Sequence, residues 1–103
     1  MSWQTTAEHA VLCFNGVELV GRIGHDPRQH ALEMLFPDGD SEILTVELAA
    51  SGYVALLSEV FVRDYSERSG VPTVLVEAGV CELIEVLRVG PFRSRVTRLR
   101  VLG

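Results

Sequence analysis

The sequence predicts an all-β domain, either a small barrel or a folded-over antiparallel meander of about seven or eight strands. Short runs rich in β-branched residues alternate with turn dipeptides, which is the pattern of strands joined by tight turns. Asn15-Gly16 lies between two such runs, and this pair is a strong signal of a type I′ hairpin because both positions need positive φ. The short connections favour a small barrel or a sheet folded on itself.

Four strands are predicted in the first half of the chain, and each one ends at a turn signal. The connection 24–30 contains Pro27, which cannot donate to a strand ladder. The connection 37–40 reads Pro-Asp-Gly-Asp, which is typical of a turn. The predicted strands span residues 10–14, 17–24, 30–36 and about 42–48.

The middle of the chain allows two interpretations. Apolar residues between positions 50 and 61 fall at helical spacing, whereas Val60 and Val62 share one face of an extended strand. Gly52 would lie in the first turns of such a helix and would destabilise it. We therefore expect a loop or one short helical turn near 49–55, followed by a strand at 56–64.

Three further strands are predicted in the C-terminal part of the chain, after a polar loop at 66–70 that Pro72 closes. Ala78-Gly79 and Gly90-Pro91 supply the turns between them. One of these segments also fits an amphipathic helix, but its valines favour a strand. The predicted strands span residues 73–77, 80–89 and 94–102.

Length and composition indicate one domain with one core. The chain has 103 residues, of which 48% are hydrophobic and 22% charged, so it is neither disordered nor built around disulfides, having only two cysteines. Residues 1–9 are predicted to form an N-terminal tail, and residues 10–103 a single small β domain. Residues 1–9 also lack the features of a signal peptide, and no long apolar run is present, so we expect a cytoplasmic protein without a membrane partner.

The formal charge of −5 is distributed unevenly, because the last 16 residues carry five arginines and no acidic residue. These residues, which we call the arginine strip, are Arg88, Arg93, Arg95, Arg98 and Arg100. Guanidinium groups chelate phosphates, but only Phe92 lies near enough in sequence to stack on a base. Three interpretations remain open: a protein-binding surface, a nucleotide or nucleic-acid site, and cross-strand pairing inside the fold with acidic residues. Those acidic residues are Glu77, Glu82 and Glu85.

Two strings in the first two thirds of the chain resemble a known group of domains. Residues 57–65 read Leu-Ser-Glu-Val-Phe-Val-Arg-Asp-Tyr, and they follow an opening hairpin at 10–23 in which an apolar run, a Gly-containing turn and an apolar strand succeed one another. This pattern over residues 10–65 is similar to uncharacterised bacterial small β-barrel domains, which are PilZ-like and Sm-like in shape. The resemblance implies a bacterial regulatory or adaptor barrel without catalysis, although the segment 49–55 departs from the pattern.

The ligand motif of PilZ domains is absent. Ligand-binding members of that family hold a cyclic dinucleotide with an Arg-x-x-x-Arg pair and an Asp/Asn-x-Ser-x-x-Gly motif. No two residues of the arginine strip from Arg93 onward are four apart, and residues 38–41 lack the following glycine. The sequence therefore predicts no such ligand and no cofactor.

Candidates for metal binding and catalysis are weak. His25, Asp26 and His30 lie in one loop, but Pro27 prevents the regular face that a zinc site needs, so we predict no metal. Motifs of hydrolases, P-loop proteins and zincins are also missing. We therefore predict no catalytic residues and a protein that is not an enzyme.

Taken together, the sequence predicts a non-catalytic protein-interaction, adaptor or regulatory module of the bacterial cytoplasm. Its expected partner is another protein or a second copy of itself, because valine-rich edge strands pair readily between chains. The alternative is nucleotide or nucleic-acid binding through the C-terminal arginine strand, with nucleic acid the less favoured partner. The predicted contact residues are Arg93, Arg95, Arg98, Arg100, Val60, Val62 and Tyr65.

Overall fold

A computed structural model describes residues 3–102, which form seven strands, one α-helix and two short 3₁₀ helices. The mostly β character predicted from the sequence is confirmed. The strands are β1 (Gln4–Phe14), β2 (Val17–Asp26), β3 (Ala31–Leu35), β4 (Ser41–Ile43), β5 (Glu59–Arg63), β6 (Cys81–Val89) and β7 (Ser94–Val101). The helix α1 spans Val71–Glu77, and the 3₁₀ helices span Ala49–Ser51 and Ser66–Arg68.

The first sheet is an antiparallel meander in the order β1-β2-β3-β4. Asn15 and Gly16 have φ angles of 53° and 76°, so the predicted hairpin turn is confirmed. Gly21 has a different role, because a Cβ atom there would overlap the carbonyl oxygen of Leu35. The glycine thereby permits close packing between β2 and the end of β3.

The first strand begins six residues earlier than predicted, at Gln4, so residues 4–9 of the predicted tail lie in β1, and three of them pair with β2. Gln4 lies opposite His25, and Thr5 lies opposite Gly24. This polar segment lacks the apolar alternation that marks a strand, and its register shifts twice before Ala10. Its strand conformation depends on pairing with β2, which local sequence does not encode.

The second sheet has the order β5-β7-β6, again antiparallel throughout. Residues 44–46 run between the sheets: the Leu44 N–H donates to the Leu32 carbonyl (2.9 Å), and the Val46 N–H to the Phe61 carbonyl (2.9 Å). Because these residues connect the two sheets between β4 and β5, the strands at the two ends of the combined sheets are β1 and β6. The helix α1 packs against both of these strands. The barrel alternative is therefore wrong for residues 3–102, because a helix occupies the place where β6 would have to meet β1.

Residues 73–77, predicted as a strand, belong to α1 instead. Val71 and Leu75 are fully buried and lie four residues apart, on one face of the helix. Pro72 lies in the first turn, where its missing N–H removes no hydrogen bond of the helix. The β-branched composition favours a strand locally, and burial against the core overrides it.

The remaining boundaries differ from the predictions in length rather than in kind. The strand predicted at 42–48 ends at Ile43, because the following residues leave the sheet to bridge toward β5. The short helical turn near 49–55 is confirmed as Ala49–Ser51, and the ambiguous segments contain strands at Glu59–Arg63 and Cys81–Val89.

Two apolar clusters lie on opposite faces of the second sheet. The main core joins the first sheet, α1 and the inner face of the second sheet, which includes Val60, Val62 and Leu99. A smaller cluster on the outer face contains Leu48, Phe61 and Val96, covered by the segment that follows β4. Within residues 3–102, no helix is long and apolar enough to span a bilayer.

Candidate functional site

Arg98, one of the five residues of the arginine strip, is largely buried on the outer face of the second sheet. Its side chain is only 13% exposed, and Nη1 donates to Glu59 Oε1 (2.8 Å) and to the Val54 carbonyl oxygen (2.7 Å). Nε donates to Glu85 Oε2 (2.7 Å), and the guanidinium lies 4.8 Å from the centre of the Phe61 ring. Arg98 is therefore a structural residue that ties β5, β6 and the segment before β5 to β7.

Glu59 is the buried partner of this arginine, with its side chain 6% exposed. The Leu56 N–H donates to its carboxylate (3.0 Å) and lowers its pKa, burial opposes that shift, and Arg98 lowers the pKa further. Burial acts to lower the pKa of Arg98, but hydrogen bonds from its guanidinium to Glu59 and Glu85 outweigh it and raise the pKa. Both groups are charged across the neutral pH range.

Two other strip residues also have partners inside the fold. Arg100 pairs with Glu82 (2.7 Å), and Arg95 pairs with Asp64 (3.0 Å), whose carboxylate also accepts the Gly70 N–H. The cross-strand pairing considered from the sequence therefore describes Arg98 and Arg100, through Glu85 and Glu82 but not through Glu77. Within the described residues, Arg88, Arg93 and Glu77 make no ion pair.

Val60 and Val62, predicted as contact residues, are fully buried in the main core. Neither valine lies on the surface where a partner could contact it, because β5 lies between β7 and the segment 44–46 and its valines face the first sheet. Tyr65 lies just beyond β5 and is partly exposed. The structure therefore does not bring Tyr65 and the two valines together on one surface.

The open edge of the second sheet is β6, a surface that sequence reasoning missed. The side of β6 that faces away from β7 has no neighbouring strand among residues 3–102. Leu83 is 56% exposed, Val86 is 43% exposed, and Ile84 is also exposed beside a shift in register. The adjacent apolar pair Leu83-Ile84 was the available signal, because a half-buried strand normally alternates apolar and polar residues.

A second set of exposed apolar residues lies in the segment that precedes β5. Val54, Leu56 and Leu57 are each at least 66% exposed. Arg98 Nη1 donates to the Val54 carbonyl and to Glu59 of β5, so this segment lies toward the β5 side of Arg98. Large exposed apolar side chains grouped at one place are typical of interaction surfaces.

On the inner face, a groove of about 220 Å³ separates α1 from β6 and β7. Its apolar lining includes Pro72, Val76, Leu83, Val86 and Leu99. Glu77 lines the groove where α1 ends, near the start of β6, and Arg95 lines it opposite Arg88, near the end of β6. The groove thus combines an apolar floor with Glu77 toward one end and the Arg95–Asp64 ion pair toward the other.

The loop candidate for metal binding shows a different organisation. His25 and Asp26 are buried, and His30 Nδ1 lies 3.1 Å from the Glu59 carbonyl oxygen, so this histidine connects the loop to β5. Burial lowers the pKa of His25. In the part of the chain that the structure describes, no three His, Cys, Asp or Glu side chains are grouped as metal ligands.

The chain matches no family model, no curated protein and no solved structure. The resemblance to PilZ-like and Sm-like domains therefore stays a prediction, and function is inferred from the geometry around β6. We call the side of β6 that faces away from β7, together with the groove, the β6 edge.

Proposed function

We propose that this protein is a non-catalytic interaction module that binds an extended protein segment as an additional strand along the β6 edge. The observation that carries the proposal is the open side of β6, a nine-residue strand with exposed Leu83, Ile84 and Val86. Strand addition satisfies the free backbone N–H and C=O groups of such an edge, and side-chain pockets beside it supply specificity.

The surroundings of the β6 edge support strand addition. A strand placed there has one face toward the α1 groove, where Val76 and Leu83 are exposed. Apolar surface is therefore available to that face of an added strand. We propose the bacterial cytoplasm as the compartment, in keeping with the free thiols of Cys13 and Cys81.

Binding of a nucleotide or nucleic acid is less well supported. Three of the five strip arginines already hold carboxylates, and Arg98 is too buried to reach a phosphate without breaking its contact with Glu59. Arg88 and Arg93 remain, on a protein whose formal charge is −5. Two arginines near a single exposed aromatic residue, Phe92, offer little affinity for a polyanion.

Peptide display tests the proposal. A random library of peptides about twelve residues long, enough to span β6, is selected on the wild-type protein. We expect enriched peptides to alternate apolar residues, and the double variant Leu83→Lys, Val86→Lys to bind them at least about tenfold more weakly. N-methylation of alternate peptide backbone nitrogens removes the donors of a ladder and should abolish binding.

The matched control is Val11→Lys, Val17→Lys, which changes two valines of the first sheet that are about as exposed as those on β6. This control should keep wild-type affinity. Peptides that bind the β6 variant as tightly as the wild type would overturn the proposal, and so would a selection that enriches none on a protein that is monomeric in solution.

A further inference from the structure

We infer that the strand added at the β6 edge is β6 of a second copy of this chain, paired antiparallel about a twofold axis near Val86. This inference rests on the proposed function and names its partner. The product is a continuous sheet in the order β5-β7-β6-β6-β7-β5, in which the open edge of one copy pairs with the open edge of the other. An isologous contact of this kind ends at two copies, because both edges are used.

The distribution of unpaired charge carries the inference. Glu77 stands near the start of β6, whereas Arg88 and Arg93 stand at its end, and none of them has an ion-pair partner within residues 3–102. Antiparallel pairing places the end of one β6 beside the start of the other. Arg88 of each copy then approaches Glu77 of the second copy, and the arrangement forms this contact twice.

The position of Arg88 on the sheet agrees with this arrangement. Arg88 lies opposite Arg95, whose charge is held by Asp64, so Arg88 has a like charge beside it and no carboxylate of its own. It lies on the same face as Val86 and the α1 groove, because Val86 pairs with Thr97 and Arg95 follows on that face of β7. The aliphatic stem of Arg88 can therefore cover the exposed Leu83 of the second copy while its guanidinium reaches Glu77.

The apolar residues of the β6 edge are also self-complementary. An axis near Val86 sets the two Val86 side chains against each other on the groove face, where directly opposite Cβ atoms lie about 5 Å apart. Parallel pairing would instead bring Arg88 to Arg88 and Glu77 to Glu77, which is unfavourable. A peptide of another protein needs both the apolar pattern and this charge polarity, and a second copy supplies both.

Sedimentation velocity measures the mass of the wild-type protein from about 1 to about 100 μM. We expect the mass to rise from 11.3 kDa to twice that value. Glu77→Arg and Arg88→Glu should each raise the dimer dissociation constant at least about tenfold, since each removes two contacts and creates like-charge pairs. The double variant Glu77→Arg, Arg88→Glu restores opposite charges and should regain most of the affinity.

A cross-link tests the register independently of charge. In a Cys13→Ser background, Val86→Cys should form an intermolecular disulfide on mild oxidation, because the two sulfurs meet at the axis. Val17→Cys, at an exposed position of the first sheet, is the control and should not cross-link efficiently.

The outcomes separate this inference from the proposed function. A protein that stays monomeric while selected peptides still bind the β6 edge overturns the second copy as partner and leaves strand addition standing. A dimer that is unaffected by Leu83→Lys, Val86→Lys and by the charge swap also overturns the inference, because the contact then lies elsewhere. A monomer that binds no peptide overturns both.

Discussion

Arg98 shows why a charged residue that looks available in the sequence has a structural role. On an extended strand it shares a face with Arg100, and nothing local distinguishes the two residues. In the fold, Arg98 contacts Glu59, Glu85, the Val54 carbonyl and the Phe61 ring, whereas Arg100 contacts only Glu82 at a half-exposed position. Because Arg98 is more buried than Arg100, loss of its ion pairs should cost more stability than loss of the Arg100 pair.

Removal of Arg98 should therefore destabilise the protein strongly. Arg98→Ala leaves Glu59 as a buried charge without its partner, and we expect the free energy of unfolding to fall by about 3 kcal/mol in urea denaturation. Arg100→Ala, on the same strand and face, should cost no more than about 1 kcal/mol. Equal losses for the two variants would show that burial does not separate these pairs.

At the scale of single elements, α1 is the feature that local sequence describes least well. Its run Val-Pro-Thr-Val-Leu-Val-Glu has the composition of a strand. A helix places Val71 and Leu75 together against the core and Thr73 on another face. A strand would place Thr73 on the same face as Val71 and Leu75, between them. Thr73 is exposed in the structure, which agrees with the helical period.

The anchoring role of α1 can be measured with two neighbouring residues. Leu75→Ala removes a fully buried side chain and should lower the free energy of unfolding by about 2–5 kcal/mol. Val76→Ala changes a partly exposed residue one position further along and should cost less than about 1 kcal/mol. Denaturant titration of both variants checks this; a small loss for Leu75→Ala would contradict the packing of α1 on the core.

At the scale of the whole molecule, the two sheets form an open arrangement rather than a closed one. Residues 44–46 join the sheets on one side, and α1 keeps β1 and β6 apart on the other. Of the two strands at the ends, β1 has two register shifts, which discourage pairing along its length, and β6 has one. The openness of the fold is thus what exposes the proposed binding edge.

Stability of the whole chain should depend on pH through His25. Burial lowers the pKa of this histidine, so the unfolded chain takes up a proton below a pH of about 6.5 while the folded chain does not. The free energy of unfolding therefore has its full value above that pH, and it falls as the pH decreases toward the lowered pKa of the folded state. Urea denaturation between about pH 7.5 and 5 measures the slope.

The control variants for this measurement differ in burial. His25→Gln should flatten the slope, because the group that takes up the proton on unfolding is gone. His9→Gln, at an exposed position of β1, should leave the slope unchanged. A slope that survives in His25→Gln would assign the pH dependence to another group.

The sequence alone was sufficient where a few neighbouring residues decide the structure. Asn15-Gly16 and Gly90-Pro91 identified two hairpin turns because turn geometry depends on the residues in the turn. The alternation of β-branched residues identified strands in seven of the eight predicted segments. Of the three interpretations of the arginine strip that the sequence left open, cross-strand pairing with β6 describes Arg98 and Arg100.

Only the tertiary structure decided which surfaces of those elements remain exposed. Val60 and Val62 proved to be buried, while Leu83 and Val86, equally apolar in the sequence, lie at an open edge. The conversion of residues 71–77 to a helix decided this, because α1 occupies the gap between β1 and β6 and prevents closure. Burial is a property of contacts between residues distant in the chain, so local pattern predicts the strands but not which of their edges and faces stay free.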